Sequence, residues 1–182
     1  MKPALIFIVS TLAQLYLFVM LLRFWLPWLR ADFRNPISQG ILRLTSPLVI
    51  PVRRIVPPIG RLDTATVIVA FALQYLTILA ILAIDGNMAS IAWLAIATAI
   101  GLVTLSLQLF TFAIFIYIIL SWIAPGTYNP ATAFISMLVQ PVLRPFRRYI
   151  PTFGGLDISA LLAIIFLQAV SIYISTLTPL QF

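Results

Sequence analysis

The sequence predicts an all-α membrane protein with four transmembrane helices, built from two tandem helix–loop–helix repeats with amphipathic interfacial helices in the basic loops. Three observations carry this prediction. Of the 182 residues, 63% are apolar and 8% charged, with a mean hydropathy of +1.14. Soluble domains sit at about 45–50% apolar and about 25% charged. Uncharged runs long enough to cross a hydrocarbon core of about 30 Å, roughly 20 residues per helix, recur along the chain. The chain also overlays on itself without gaps at an offset of 94.

The first uncharged run, residues 4–22, is followed by Arg23, Trp25, Trp28 and Arg30. Those residues suit an interfacial belt at the inner end of a span over about 4–28. Lys2 precedes the run, as in a signal peptide. The run is too long for such a leader and no small-residue cleavage site follows, so the expectation is a retained helix. Residues 64–84 form the second span, about 98–123 the third and about 158–178 the fourth. Residues 88–97 are apolar as well, and read equally as an extension of the third helix or as a short outer-leaflet helix anchored by Trp93.

Charge placement sets the expected orientation. Arg30, Arg34, Arg43, Arg53, Arg54 and Arg61 fall in the first connector and Arg144, Arg147 and Arg148 in the second, while the opposite side carries Lys2 and Asp85. Arginine stays on the cytoplasmic side. Both basic loops are therefore expected inside, with both termini periplasmic.

At the offset of 94, Asn35-Pro36 overlays Asn129-Pro130, and Pro47, Pro51 and Pro57 overlay Pro141, Pro145 and Pro151. Arg53-Arg54 overlays Arg147-Arg148, Gly60 overlays Gly154, and Leu62-Asp63 overlays Leu156-Asp157. Between 35 and 74 there are 14 identities in 40 positions, too many shared prolines and arginine pairs for coincidence. The chain divides into a first repeat, 1–87, and a second, 88–182. Two spans per repeat keep the repeats in one orientation, which implies a pseudo-two-fold axis along the membrane normal.

Each connector opens with a polar cap and a proline at a position where the missing N–H costs nothing. Ile37, Ile41, Leu44 and Leu48 then share a helical face, which predicts a short amphipathic helix in the inner headgroup layer. Pro47 is expected to end or kink it. Gly60 permits a tight turn, and Asp63 is placed to cap the helix that starts at Thr64. The pairs Arg53-Arg54 and Arg147-Arg148 have two readings. They act as topology signals and anchors to anionic lipid, at about 1 kcal/mol each. Alternatively they bind a phosphate or acidic partner, or pair with Asp63 and Asp157 to lock the loop. Three spaced prolines and a glycine exceed what a charge signal needs, so the connectors are expected to form a rigid cytoplasmic platform held partly by Arg–Asp pairing.

Gln14, Gln74, Gln108 and Gln168 place one glutamine in each span, at depths of roughly 14–16 Å at about 1.5 Å per residue. Interhelical hydrogen bonds of about 0.6–2 kcal/mol each are one reading, and a polar lining for an ion path is the other. Ion paths ordinarily use carboxylates or carbonyl filters.

The inventory excludes more chemistry than it suggests. There is no Cys, His or Glu, and the acids are Asp32, Asp63, Asp85 and Asp157. No catalytic residue, metal site, cofactor or phosphate-binding glycine loop is expected. Ten arginines and one lysine give a net charge of +7, but arginine clustered beside spans points to lipid headgroups rather than nucleic acid.

The doubled pattern Asn-Pro … Pro-x-x-x-Pro-x-Arg-Arg … Pro-x-x-Gly-x-Leu-Asp resembles the YggT family of small integral membrane proteins. The run Leu29-Arg-Ala-Asp-Phe-Arg-Asn-Pro-Ile-Ser-Gln, with Arg61-Leu-Asp-Thr-Ala-Thr, is similar to its two-repeat proteobacterial members. The resemblance covers essentially the whole chain. It departs from repeat symmetry where Gly155 stands opposite Arg61 and Met137 opposite Arg43, leaving the second repeat less basic. It implies a bacterial inner-membrane location and a link to osmotic-stress tolerance and potassium uptake. For one-repeat relatives it implies links to cell division, and for plastid relatives to nucleoid organisation and cytochrome assembly. The resemblance brings no catalytic residues. The expected function is a non-enzymatic scaffold or accessory factor in osmotic stress and potassium homeostasis. A membrane-complex assembly or division factor, or a weak ion-transport component, is the alternative. Expected partners are anionic inner-leaflet lipids and other membrane proteins or a second copy.

Overall fold

The computed structural model describes residues 2–123, 126, 129–149 and 157–177. These form α1 (Lys2–Trp25), α2 (Pro36–Arg53), α3 (Thr64–Asp85), α4 (Ile91–Ile123), α5 (Pro130–Tyr149) and α6 (Ile158–Thr176). Helices α1, α3, α4 and α6 are long and apolar enough to cross a membrane. Pro151, Gly154, Gly155 and Leu156 of the second connector and the end of the predicted fourth span lie outside the described residues.

The repeat is visible as architecture. In the first half α1, α2 and α3 pack on one another, and α4, α5 and α6 do so in the second. The halves meet through α1 on α4, α2 on α5 and α3 on α4. The first two of these contacts map onto themselves under a two-fold. The third should be matched by α6 on α1, yet among the described residues α6 makes no close backbone approach to α1. The bundle therefore has one closed seam and one open one. At the closed seam Gly101 lets α3 come near, since a Cβ there would lie 2.8 Å from Nε2 of Gln74. Small residues play this role in membrane helix packing generally.

Helix ends follow local chemistry. Helix α1 stops at Trp25 rather than near 28, because Pro27 supplies no N–H and disfavours helical geometry in the residue before it. Leu26 and Leu29 still bond back to Leu22 and Trp25. The stretch 88–97 resolves mostly into α4, whose 33 residues run from Ile91. At 1.5 Å per residue that is about 50 Å, well beyond the roughly 30 Å core. The C′ position after α3 is Gly86 at φ 91°, the left-handed conformation glycine adopts freely.

One alternative for the connectors is corrected. Pro47 does not end α2, which runs through Pro47 and Pro51 to Arg53, and α5 likewise contains Pro141 and Pro145. All four prolines are exposed and four residues apart in pairs. The carbonyls that lose donors thus share one outer face, where other groups can satisfy them. The buried line of α2 is Ser38, Ile41, Thr45 and Val49, whereas Leu44 and Leu48 are exposed. Of the predicted apolar face, Ile41 therefore turns to the bundle, while Leu44 and Leu48 stay outward.

Both connectors lie at the same end of the bundle. Asn35 accepts a hydrogen bond from the Ile37 amide at 2.9 Å and donates through Nδ2 to the Pro130 carbonyl at 2.7 Å. One residue thus caps α2 and ties it to the start of α5. Asn129 accepts from the Thr132 amide at 2.9 Å, capping α5 alone. At the other end the Lys2 ammonium donates to the Asp85 carbonyl at 3.4 Å.

Candidate functional site

Asp63 sits at the N-cap of α3, its side chain accepting from the Thr66 amide and, at 2.7 Å, from the Thr66 hydroxyl. Gly60, at φ 60°, and an isolated bridge between Ile59 and Leu62 turn the chain just before it. Arg53, from the last turn of α2, donates to Oδ2 of Asp63. Arg23 approaches the same oxygen from α1, its Nε at 3.6 Å. Too long for a hydrogen bond, that approach is a charge contact. Arg23 is 4% exposed. Its Nη1 donates to Thr45 Oγ1 at 2.8 Å, the Leu42 carbonyl at 3.3 Å and Ser46 Oγ at 3.4 Å. Three elements are thereby fastened at one carboxylate, with two cations on it.

The second repeat builds the same clasp from different parts. Arg147 donates to Oδ2 of Asp157 through Nε at 3.0 Å and Nη2 at 2.5 Å. Nη2 also reaches the Tyr117 phenol oxygen at 3.2 Å, and Nη1 reaches Gln140 Oε1 at 3.1 Å. The guanidinium lies 5.6 Å from the Tyr117 ring centroid, within cation–π range. The Ser159 hydroxyl donates to Asp157, which stands at the N-cap of α6. One cation meets one carboxylate, and the cluster is neutral.

Burial tends to raise both carboxyls. For Asp63 the Thr66 hydroxyl and Arg53 outweigh it, and for Asp157 Ser159 and Arg147 do, so both are held below the usual aspartate value. Burial tends to lower Arg147, but the Tyr117 phenol and Asp157 raise it above its ordinary value. Carboxylates saturated by donors in this way have the chemistry of a fastening.

The expected pairing of arginine with aspartate thus falls on the first arginine of each pair. Arg54 and Arg148 are exposed and enter no ion pair among the described residues. Sequence reasoning missed Arg23, Thr45, Thr66, Tyr117, Gln140 and Ser159. A signal for Arg23 existed, since the offset of 94 sets it against Tyr117, both at the connector end of the first span of a repeat.

Among the described residues the four glutamines make no interhelical hydrogen bond. Gln14, Gln108 and Gln168 are exposed and Gln74 is half-buried against Gly101. Burial on α1 begins at Leu17, so Gln14 lies beyond the packed part of the helix. Gln108 and Gln168 meet at the open seam, lining a groove of about 690 Å³ bordered by α1, α4, α5 and α6. The connector end holds a second cavity, of about 450 Å³, between the starts of α2 and α5.

Four apolar spans, two re-used clasps and paired connector helices at one end define a duplicated multi-pass membrane protein. The CCB3/YggT family model matches twice, over residues 3–84 and 96–178. The chain belongs to that family. It is 41% identical to an uncharacterized protein of Pseudomonas aeruginosa, across 96% of this chain and 89% of that one. Identity is 40% to an uncharacterized protein of Vibrio alginolyticus, across 89% and 88% of the two chains. The uncharacterized protein YggT of Escherichia coli shares 33%, across 91% and 86%. No solved structure matches the chain.

Proposed function

We propose that this protein is a non-enzymatic scaffold or accessory factor of the bacterial inner membrane, serving osmotic-stress tolerance and potassium homeostasis through partner membrane proteins rather than by conducting ions. The observation that carries this reading is the platform at the connector end. Each amphipathic helix is clasped to its spans through Arg53–Asp63 or Arg147–Asp157, and Asn35 bonds the two helices to each other. A surface fixed at three points, with Leu44, Leu48 and Ile50 exposed along it, suits a partner that needs a preorganised face. Arginine placement puts that face in the cytoplasm and the termini in the periplasm. The glutamines weigh against a pore within one chain, since Gln14 and Gln74 do not line the groove that Gln108 and Gln168 share, and a conducting path needs polar groups that converge along it.

A photo-crosslinking residue at Leu48, used in native membranes, tests the scaffold. The expected result is one defined adduct band, absent when the crosslinker stands at the exposed span residue Leu76. Identical adducts from both positions would remove the support. Potassium flux through liposomes holding the purified protein alone would replace the scaffold with a transporter.

A further inference from the structure

The cavity between the starts of α2 and α5 is not used by either clasp. Arg30, Arg34, Asn35, Ser38 and Asn129 are among the residues that line it. Two helix N-termini converge there across the repeat boundary, each of a helix of 18 residues or more, so the positive ends of both helix dipoles add in one place. Arg30 and Arg34 are exposed at its mouth and Asp32 is the acid beside them, its Oδ1 taken up by the Arg34 amide at 2.8 Å. An independent observation points the same way. Ser38 lines this cavity at 1% exposure, and among the described residues its hydroxyl has no hydrogen-bond partner. A buried hydroxyl left without a partner is destabilising, and a ligand oxygen would offset that cost.

Phe134 borders this cavity and also the groove at the open seam. The groove is apolar near Phe134, where Leu22, Ile116, Ile135 and Leu138 line it. A basic, donor-rich recess therefore adjoins an apolar furrow that opens sideways between α1 and α6. A free anion would use only the first. We propose that the pair of cavities binds one anionic glycerophospholipid, its phosphate at Ser38 and the two helix starts, with Arg30 and Arg34 around it and an acyl chain passing Phe134 into the groove. The site is distinct from the exposed Arg54 and Arg148, and it explains why the seam is open on the α6 side alone.

The test uses purified full-length protein in uncharged detergent, read by thermal unfolding with added dioleoylphosphatidylglycerol, dioleoylphosphatidylcholine or inorganic phosphate. Phosphatidylglycerol is expected to raise the midpoint saturably, phosphatidylcholine to do so weakly, and inorganic phosphate to leave it unchanged at matched ionic strength. Arg30→Gln with Arg34→Gln should weaken the apparent phosphatidylglycerol affinity about tenfold or more. Four arginines remain in that connector to hold its orientation. Arg30→Gly guards against unfolding as an explanation. Arg30 sits at φ 53°, where glycine is less strained, so this variant should be at least as stable without lipid and yet respond less to it. Equal responses to the two lipids, or a full response in the double variant, would overturn the proposal. A full response to inorganic phosphate would reduce the site to one for a free anion and overturn the lipid assignment. These outcomes leave the scaffold reading standing, because they do not bear on the Leu48 crosslink.

Discussion

Arg23 and Tyr117 occupy the same register position in the two repeats, and each reaches the arginine–aspartate pair of its own half. Arg23 brings a buried cation to Asp63 beside the exposed Arg53, whereas Tyr117 brings a neutral phenol to Arg147. One site is thereby left with an uncompensated positive charge at the base of the spans and the other with none. Neutral polar side chains follow the same division. Thr45 and Thr66 serve the charged cluster, while Gln140 and Ser159 serve the neutral one.

Removing the carboxylate should therefore cost more in the first repeat. Asp63→Asn leaves Arg23 buried opposite another cation, and a loss on the order of 3–5 kcal/mol is expected for a broken buried pair. Asp157 and Arg147 are partly exposed, and Asp157→Asn should cost about 1–2 kcal/mol. Denaturant titration of each variant in detergent measures the difference. Equal losses would show that Arg23 does not depend on Asp63.

Acid should undo both clasps. Each carboxyl is held below its ordinary value, so its contribution is fully present above the unfolded-state value of about 3.9. It is lost as pH falls through the lower folded-state value. The unfolding midpoint is expected to stay level from pH 7 to about 5 and then drop. With no histidine in the chain, no step is expected near pH 6.5. Asp63→Asn with Asp157→Asn should flatten the acid limb, and a midpoint that falls as steeply in that double variant would place the acid sensitivity elsewhere.

Gly101 offers a graded test of the closed seam. Alanine would meet only the far end of the Gln74 side chain, which can swing away, so Gly101→Ala should change stability by less than about 1 kcal/mol. Gly101→Leu cannot be accommodated that way and should force α3 from α4. Because the chain has no native cysteine, a cysteine pair placed across α3 and α4 reports the separation by its disulfide yield. High yield in the alanine variant and low yield in the leucine variant is the expected result.

Asn35→Ala should cost about 1–2 kcal/mol through the lost cap and the lost bond to Pro130, and more than Asn129→Ala, which loses a cap within its own helix. The comparison is read by thermal unfolding. The asparagines share one motif and one offset in the sequence, so equal costs would mean that the bond between repeats contributes nothing.

What the sequence made legible was whatever the duplication wrote twice. Asp63 with Arg53, and Asp157 with Arg147, recur in register, and their pairing follows from the short reach between a helix end and the next helix start. Arg23 escaped because it was read with Trp25 and Trp28 as an interfacial belt, a reading that fits any arginine at a span end. Only packing against α2 reveals that it is enclosed. The helix through Pro47 escaped for a related reason. A lone proline ends a helix by stranding a carbonyl, but two at a spacing of four strand theirs on one exposed face. Counting residues gives the glutamines similar depths, but counting does not say which way a residue faces.

The open seam has a last consequence. Two separate copies of a half-length ancestor joined by a true two-fold would be obliged to treat both junctions alike, shut or parted together. Fusing the copies into one polypeptide lifts that obligation. A crevice beside Phe134 whose counterpart junction packs α3 on α4 is thus something a symmetric pair of identical subunits could not possess, and it gives the tandem form a reason to exist beyond holding its halves together.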